Sequence, residues 1–127
     1  MEMPTSLLDR SASCSDFLSC LFALNATDVS VLFSLSSAKK ATLDSIAEIT
    51  GRDRTTVFRS LERLISAGFV TKTSSVVDGG GGTRNLYSVV SEETLMETIR
   101  SRARAAVDNI LEAEKRAEEE LRRHLYQ

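Results

Sequence analysis

The chain has 127 residues, a formal net charge of −2, and a composition that is 42% hydrophobic and 27% charged. These values are typical of an ordinary globular protein and exclude a chain that is disordered throughout. The length allows one domain with an appendage.

The sequence has only two cysteines and one histidine, too few and too far apart for a typical metal site or disulfide framework. Cys14 and Cys20 lie near the amino terminus and His124 near the carboxyl terminus, so no spacing typical of metal ligands occurs. We expect the thiols to be reduced and either buried or incidental. We therefore expect no metal and no cofactor.

The amino-terminal stretch lacks the pattern of an export signal. The first ten residues, MEMPTSLLDR, carry acids on both sides of the first apolar residues, whereas a signal begins with basic residues and continues with an apolar run. The run from Phe17 to Leu35 is apolar, but Asn25, Thr27 and Asp28 interrupt its centre, where burial in lipid is costly. We predict two helical segments of a soluble, cytoplasmic protein with no membrane partner.

Two short helices are predicted next in the chain. The stretch Asn-Ala-Thr-Asp at residues 25–28 offers N-cap chemistry for a first core helix over residues 27–37. Thr42 precedes a second helix, and Gly51 ends it because glycine adopts the left-handed conformation most easily.

A third helix and a hairpin complete the order of a winged helix-turn-helix. Asp53 caps this third helix, which runs to about residue 67 and stops at Gly68. The small residue Ala47, the turn residue Gly51 and the aliphatic Val57 lie four and then six residues apart. This spacing suits two helices joined by a tight turn.

Residues 69–90 predict a two-stranded hairpin, because FVTKTSSVV and RNLYSVV are rich in β-branched and aromatic residues and DGGGG separates them. A phosphate-binding loop needs a helix after its glycines, whereas residues 83–85 lead into a strand. We interpret Gly79–Gly82 as a wing tip that allows Arg84 to reach the DNA backbone or minor groove, with Lys72 nearby. A floppy surface loop is the alternative.

The third helix concentrates positive charge on one side. Residues 51–90 carry six basic and three acidic residues, although the whole chain is acidic. Leu61 and Leu64 lie within roughly 80° of Val57 on a helical wheel and form the buried stripe. The opposite side suits a major groove, because small hydroxyl residues allow close approach and arginine binds guanine or phosphate. The residues predicted to contact DNA are Arg52, Arg54, Thr55, Thr56, Arg59, Arg63, Lys72 and Arg84.

Two alternatives to DNA binding remain for this helix. Arginines opposite a leucine stripe also occur on helices that are merely solvated. A winged helix can also bind only proteins, as an interaction module of a transcription complex, with the hairpin and Phe58, at the margin of the stripe, as the surface. The turn spacing and the hairpin favour DNA. No nucleophile–base pair, metal cluster or carboxylate pair indicates an enzyme.

Ser91 begins one very long helix, since no Gly or Pro occurs from there to Gln127. Its small and apolar residues recur at alternating spacings of three and four, the 3.5-residue period of a coiled-coil seam. A helix over residues 92–125 is about 51 Å long. We expect a second copy of the chain to cover it, with a helix folded back on its own domain as the alternative. The predicted dimerisation residues are Met96, Ile99, Ala103, Ala106, Ile110, Ala113, Ala117 and Leu121.

The predicted fold class is therefore α+β and mostly helical: a winged helix-turn-helix with a long C-terminal dimerisation helix. Residues 1–23 form an N-terminal helical segment, residues 24–90 the DNA-binding domain, and residues 91–127 the dimerisation helix. We expect the apolar residues of the N-terminal segment to pack against the long helix and to strengthen the dimer. These residues are Leu7, Leu8, Phe17, Leu18, Leu21 and Phe22.

The stretch ATLDSIAEITGRDRTTVFRSLERLISAGFVTK, residues 41–72, resembles the DNA-binding domain of archaeal TrmB-type regulators and, more broadly, MarR-like winged helices. The resemblance covers roughly residues 24–90. It implies a dimeric transcriptional regulator specific for a double-stranded DNA sequence. Helix 53–67 then occupies the major groove through Arg54, Thr55, Thr56 and Arg59, and wing 69–90 contacts DNA around Arg84. Larger TrmB-type proteins carry a separate sugar-binding domain without a counterpart here, so sugar sensing is not implied and the effector is unknown.

Overall fold

The computed structural model of the chain describes residues 5–36, 39–76 and 83–127. In this part of the chain, helices dominate and a single hairpin follows the fourth of them, so the predicted α+β class is confirmed. After a 3-10 turn at Thr5–Leu8, the elements are α1 (Cys14–Phe22), α2 (Ala26–Leu35), α3 (Leu43–Thr50), α4 (Arg54–Ser66), β1 (Val70–Val76), β2 (Thr83–Val89) and α5 (Glu92–Leu125).

The predicted helix starts are confirmed by their caps. Asn25 and Asp28 form a capping box on α2, in which the side chain of each accepts the backbone N–H of the other at 2.9 and 3.0 Å. Thr42, Asp53 and Ser91 cap α3, α4 and α5 through their side-chain oxygens. The start of each of these helices is therefore encoded within four residues.

Two glycines end helices in the left-handed region. Gly51 has a φ of 69° and closes α3, and a Cβ added there would meet nothing within 4 Å, so the backbone conformation is the requirement. Gly68 has a φ of 86°, and a Cβ there would lie 3.6 Å from the side chain of Thr98 in α5. Both predicted stops are confirmed. Helix α2 ends at Leu35 rather than at residue 37.

The core lies where α2, α3 and α4 pack on one another and on the hairpin. The predicted stripe of α4 is confirmed, because Val57, Leu61 and Leu64 are fully buried. Phe69 and Tyr87 contribute the largest buried side chains from the hairpin. This packing holds α4 with its opposite side toward solvent.

The hairpin is antiparallel, with a register that runs from Val70 opposite Val89 to Val76 opposite Thr83. An isolated bridge adds Ala41 to its edge, through backbone N–H···O distances of 2.9 and 2.8 Å to Tyr87. The hairpin predicted for residues 69–90 is thus confirmed for both strands. The predicted wing tip, Gly79–Gly82, lies outside the described residues.

The apolar run of residues 17–35 is divided between α1 and α2. Leu18 in α1 and Val31 in α2 are buried in the core of the domain. Within the residues that the structure describes, no single helix is long and apolar enough to cross a membrane, and α1 with α2 passes the test only as a pair bent by 110°.

Helix α5 extends far beyond the domain. None of its residues is buried, and Leu95 and Ile99 near its start pack against the core. Helix α1 contacts it, and the guanidinium of Arg102 lies 5.1 Å from the centre of the Phe22 ring. Leu8, which we expected to pack against this helix, is 88% exposed in the single chain.

Candidate nucleic-acid interface

The solvent side of α4 begins with short and charged residues. Thr55 and Arg59 are exposed, and Thr56 is half-buried. Phe58, which the sequence placed at the margin of the buried stripe, is 44% exposed. The predicted surface of α4 therefore exists, and it also includes an aromatic ring.

The first turn of α4 is capped internally. Asp53 accepts the backbone N–H of Thr56 at 2.7 Å. Hydrogen bonds from Thr56 hold the pKa of Asp53 below its ordinary value, and the positive charge of Arg59 adds to this effect. Because the carboxylate of Asp53 binds the amide of Thr56 and adds a negative charge to the helix start, we expect a DNA phosphate to be bound mainly by side chains of α4.

Arg54 forms a solvent-exposed ion pair across the helix-turn-helix. Its Nε lies 3.1 Å from Oδ1 of Asp44 in α3, and the two side chains are 68% and 72% exposed. An exposed pair of this kind contributes little to stability. The carboxylate of Asp44 therefore competes weakly with any anion that approaches Arg54.

An open groove of about 450 Å³ lies between α3, α4 and β2. It brings Arg54 to the same surface as Arg84, although the two arginines are thirty residues apart in the chain. Lys72 is exposed on β1 opposite Tyr87, and Arg52 is exposed in the turn before α4. The groove is lined by Thr42, Leu43, Asp44, Arg54, Phe58, Arg84, Asn85 and Tyr87.

Arg63, one of the residues predicted to contact DNA, forms an ion pair within the protein. Its guanidinium donates two hydrogen bonds to the carboxylate of Asp28, each at 2.9 Å, one from Nε and one from Nη2. Ser60 donates a third to the same carboxylate at 2.6 Å, and both Asp28 and Ser60 are fully buried. Arg63 therefore ties α4 to α2, while 41% of its side chain remains exposed.

The electrostatics of this cluster favour an ionised Asp28. Burial alone raises the pKa of its carboxyl, but hydrogen bonds from Arg63, Ser60 and the amide of Asn25, together with the charge of Arg63, outweigh burial and lower the pKa from its ordinary value of 3.8. The carboxylate is thus charged at neutral pH, with four hydrogen bonds in place.

Sequence reasoning missed this cluster although two signals were present. Asp28 is the one ionisable residue of α2, and the sequence pattern accounted for it as an interruption of the apolar run and as part of the N-cap stretch. Ser60 and Arg63 are three residues apart and therefore lie on one edge of α4. Ser60 and Arg63 lie beside the buried stripe of α4. A buried carboxylate such as that of Asp28 needs hydrogen-bond partners, and these two side chains can supply them.

The predicted dimerisation residues become more exposed along α5 with distance from the domain. Its exposed apolar side chains also include Val107 and Leu111, which the predicted seam omitted. Phe17 of α1 and the first half of α5 border an open apolar groove of about 540 Å³. Met96, Ile99, Ala103 and Ala106 are half-buried in the single chain, whereas Ile110, Ala113, Ala117 and Leu121 are exposed.

The potential metal ligands of the described residues are scattered. In residues 5–36, 39–76 and 83–127, no group of three or more His, Cys, Asp or Glu side chains could hold a metal ion. Cys14 is exposed and Cys20 is half-buried, and both are free thiols.

Comparison with known proteins identifies the family of this fold. The sequence profile described as "Sugar-specific transcriptional regulator TrmB" matches residues 18–93, which is more than half of the chain. The chain belongs to the TrmB family. This assignment confirms the resemblance found in the sequence, and the family is described as one of transcriptional regulators.

Individual relatives of this TrmB-family chain are distant. The uncharacterised protein MJ1503 of Methanocaldococcus jannaschii is 31% identical over 77 residues, which are 61% of this chain and 58% of the relative. The chain therefore matches less than two thirds of the length of that curated relative.

Solved structures of archaeal proteins share the winged-helix fold. A possible transcriptional regulator from Methanosarcina mazei superposes with a TM-score of 0.73 at 20% identity, over 85% of this chain and 93% of the other. The protein ST1889 from Sulfolobus tokodaii gives 0.60 at 26% identity, over 75% and 92%. TrmBL2, described as an archaeal chromatin protein with a novel mode of DNA binding, gives 0.66 at 23% identity, over 86% of this chain and 39% of its own.

Proposed function

We propose that the chain is a homodimeric regulator that recognises a specific double-stranded DNA site. Helix α4 lies in the major groove, and the wing of β1 and β2 contacts the backbone or the minor groove. One observation carries this proposal: exposed arginines from α4 and from β2 lie on one continuous surface of a chain that is acidic overall. A positive surface of this kind matches a polyanionic duplex.

The exposed residues divide into two roles. Thr55 and Arg59, on the solvent side of α4, are placed to reach base edges, where a guanidinium binds guanine through two hydrogen bonds. Arg52, Lys72 and Arg84 are exposed and are assigned to phosphates, which position the protein without reading sequence. Arg54 belongs to the second group once it separates from Asp44. Arg63 is assigned no DNA contact, because its Nε and Nη2 bind Asp28.

The homodimer is supported by the apolar side of α5. Ile110 and Leu121 are 66% and 56% exposed in the single chain, on a helix of 34 residues that its own domain covers only near its start. A second copy of the chain is the simplest partner for such a seam, because most soluble oligomers are two-fold symmetric. Two copies present two α4 helices to successive half-sites of a DNA duplex.

Substitution of Arg59 by alanine is expected to weaken binding to the preferred site by about 1 to 3 kcal/mol and to relax sequence preference. Arg84→Ala is expected to weaken binding to all DNA sequences to a similar extent. It should also reduce the dependence of the affinity on salt concentration, since one fewer phosphate is neutralised. Both effects are measured by fluorescence anisotropy with selected and random duplexes over a salt series.

A matched control for these variants is Arg123→Ala, which removes an exposed arginine from the last turn of α5. It is expected to leave both affinity and sequence preference unchanged. Equal, salt-insensitive behaviour of the Arg59 and Arg84 variants would refute the assignment of roles. If the intact protein bound no duplex even at low salt, the protein-binding alternative would be favoured instead.

Substitution of Asp44 by asparagine is expected to tighten duplex binding by about twofold to fivefold, because it releases Arg54 from a weak exposed pair and removes a negative charge from the groove. The melting temperature should change little. Glu112→Gln is the control, since it makes the same charge change in an exposed pair with Lys115 on α5. A gain of equal size in that control would show that net charge, rather than the release of Arg54, is responsible.

A further inference from the structure

Phe58 differs from the other apolar residues in the centre of α4. Val57 and Leu61 are fully buried, whereas Phe58 is 44% exposed. An aromatic ring that stays partly in water forgoes much of the free energy that its burial would supply. This ring therefore has apolar surface available for a partner.

The surroundings of Phe58 indicate what that partner is. The ring lines the groove between α3, α4 and β2 together with Arg54 and Arg84. Arg54 precedes it by one turn of α4, so the ring lies on the side of the helix that faces the wing. An apolar surface flanked by two guanidinium groups is complementary to a polyanion that also presents apolar groups, as a DNA duplex does.

The chemistry of the major groove indicates which group of the DNA the Phe58 ring contacts. The base edges there present hydrogen-bond donors and acceptors, and their apolar feature is the C5 methyl group of thymine. A phenylalanine ring has no donor or acceptor for the polar edges, and it packs well against a methyl group. We propose that Phe58 is a specificity-determining residue that recognises a thymine methyl group. This inference depends on the proposed function, because it requires α4 to enter the major groove.

The experiment removes the methyl group from the DNA and the ring from the protein. Duplexes bound by the full chain are first selected from a random pool, and each thymine of the selected site is then replaced by deoxyuridine, which lacks only that methyl group. Replacement at one equivalent position of either half-site is expected to weaken binding of the unaltered protein by about fourfold, as loss of one buried methyl group predicts. Replacement at other positions should weaken binding less.

The variant Phe58→Ala is expected to bind the selected site more weakly and to show no further loss with deoxyuridine at the sensitive position. Phe58→Leu keeps an apolar side chain and should retain part of that sensitivity. Phe33→Ala is the matched control, because Phe33 is an exposed phenylalanine of α2, 60% exposed, outside the groove. It should leave the response to deoxyuridine intact.

The outcomes distinguish this inference from the proposed function. If every deoxyuridine duplex bound as well as the original, or if Phe58→Ala kept the full sensitivity, recognition of a thymine methyl group by Phe58 would be wrong while DNA binding stood. If Phe58→Ala failed to fold, the deoxyuridine series with the unaltered protein and Phe58→Leu would still decide. Absence of any duplex binding would instead overturn the proposed function itself.

Discussion

Replacement of Arg63 by methionine is expected to lower the free energy of unfolding by about 2 to 3 kcal/mol, since it leaves the buried carboxylate of Asp28 without its counter-charge. The loss is smaller than for a fully buried pair because the Arg63 side chain is 41% exposed. The carboxylate of Asp28 is fully buried and would keep only the hydrogen bonds from Ser60 and from the amide of Asn25. Methionine retains the apolar stem of the side chain, so that the loss reports mainly on the guanidinium. Urea unfolding at a fixed protein concentration measures it.

The control for this prediction is Arg59→Met, which removes a guanidinium from the exposed side of the same helix. Its effect on stability should lie within about 0.5 kcal/mol, as for most surface substitutions. Arg63→Lys should be intermediate, because an ammonium keeps the charge but not the planar fork that binds both carboxylate oxygens. If Arg63→Met and Arg59→Met were equally stable, the pair between α2 and α4 would contribute nothing.

The same cluster predicts a dependence of stability on pH. The pKa of Asp28 in the folded chain is lower than its ordinary value of 3.8, so its ionised form contributes stability above that value and loses it as the pH falls through the folded pKa. The difference in free energy of unfolding between the unaltered chain and Asp28→Asn should therefore be constant near neutral pH and shrink below about pH 4. Other acidic groups with lowered pKa, such as Asp53, are common to both chains and cancel.

Substitution of Ile110 by glutamate is expected to convert the proposed homodimer to a monomer and to weaken binding to the full site by about 10²- to 10⁴-fold, which is the usual advantage of two linked binding modules. Ile110 lies at the centre of the predicted seam and is 66% exposed in the single chain. A carboxylate there would be buried against the partner helix without a counter-charge. Light scattering measures the oligomeric state, and anisotropy measures the affinity.

Lys115→Glu is the control for the seam. Lys115 lies five residues after Ile110 and thus about 140° further around the helix, away from the seam. This substitution changes the net charge by more than Ile110→Glu does, so a dimer that survives it would show that position rather than charge is decisive. If the unaltered chain were monomeric at micromolar concentration, the dimer proposal would be wrong.

Much of the fold was predictable from short stretches of sequence. Thr42, Asp53 and Ser91 are each expected from the sequence to start a helix, and each caps one. The stretch 25–28 is expected to offer a cap for the first core helix, and Asn25 supplies it. Gly51 was expected to end a helix and does so in the left-handed conformation. Caps and turns depend on hydrogen bonds and φ angles within four or five residues, so the local sequence suffices for them.

The candidate site was only partly predictable. The exposure of Thr55 and Arg59 follows from the helical period once the buried stripe is known. The same wheel placed Arg63 opposite the stripe, and the structure instead shows it bound to Asp28. A helical wheel gives the direction of a side chain but not which neighbouring element lies there to receive it.

The sequence by itself thus determined the identity and order of the elements, the buried stripe of α4 and the positive charge of its surroundings, because each depends on a repeat or on close neighbours in the chain. Tertiary structure alone decided that Arg63 binds Asp28, 35 residues away in the chain. It also decided that Arg54 and Arg84 line one groove and that Phe58 is partly exposed there. These contacts depend on the position of α4 relative to α2 and the hairpin. That arrangement is set by the packing of the whole core rather than by any local pattern.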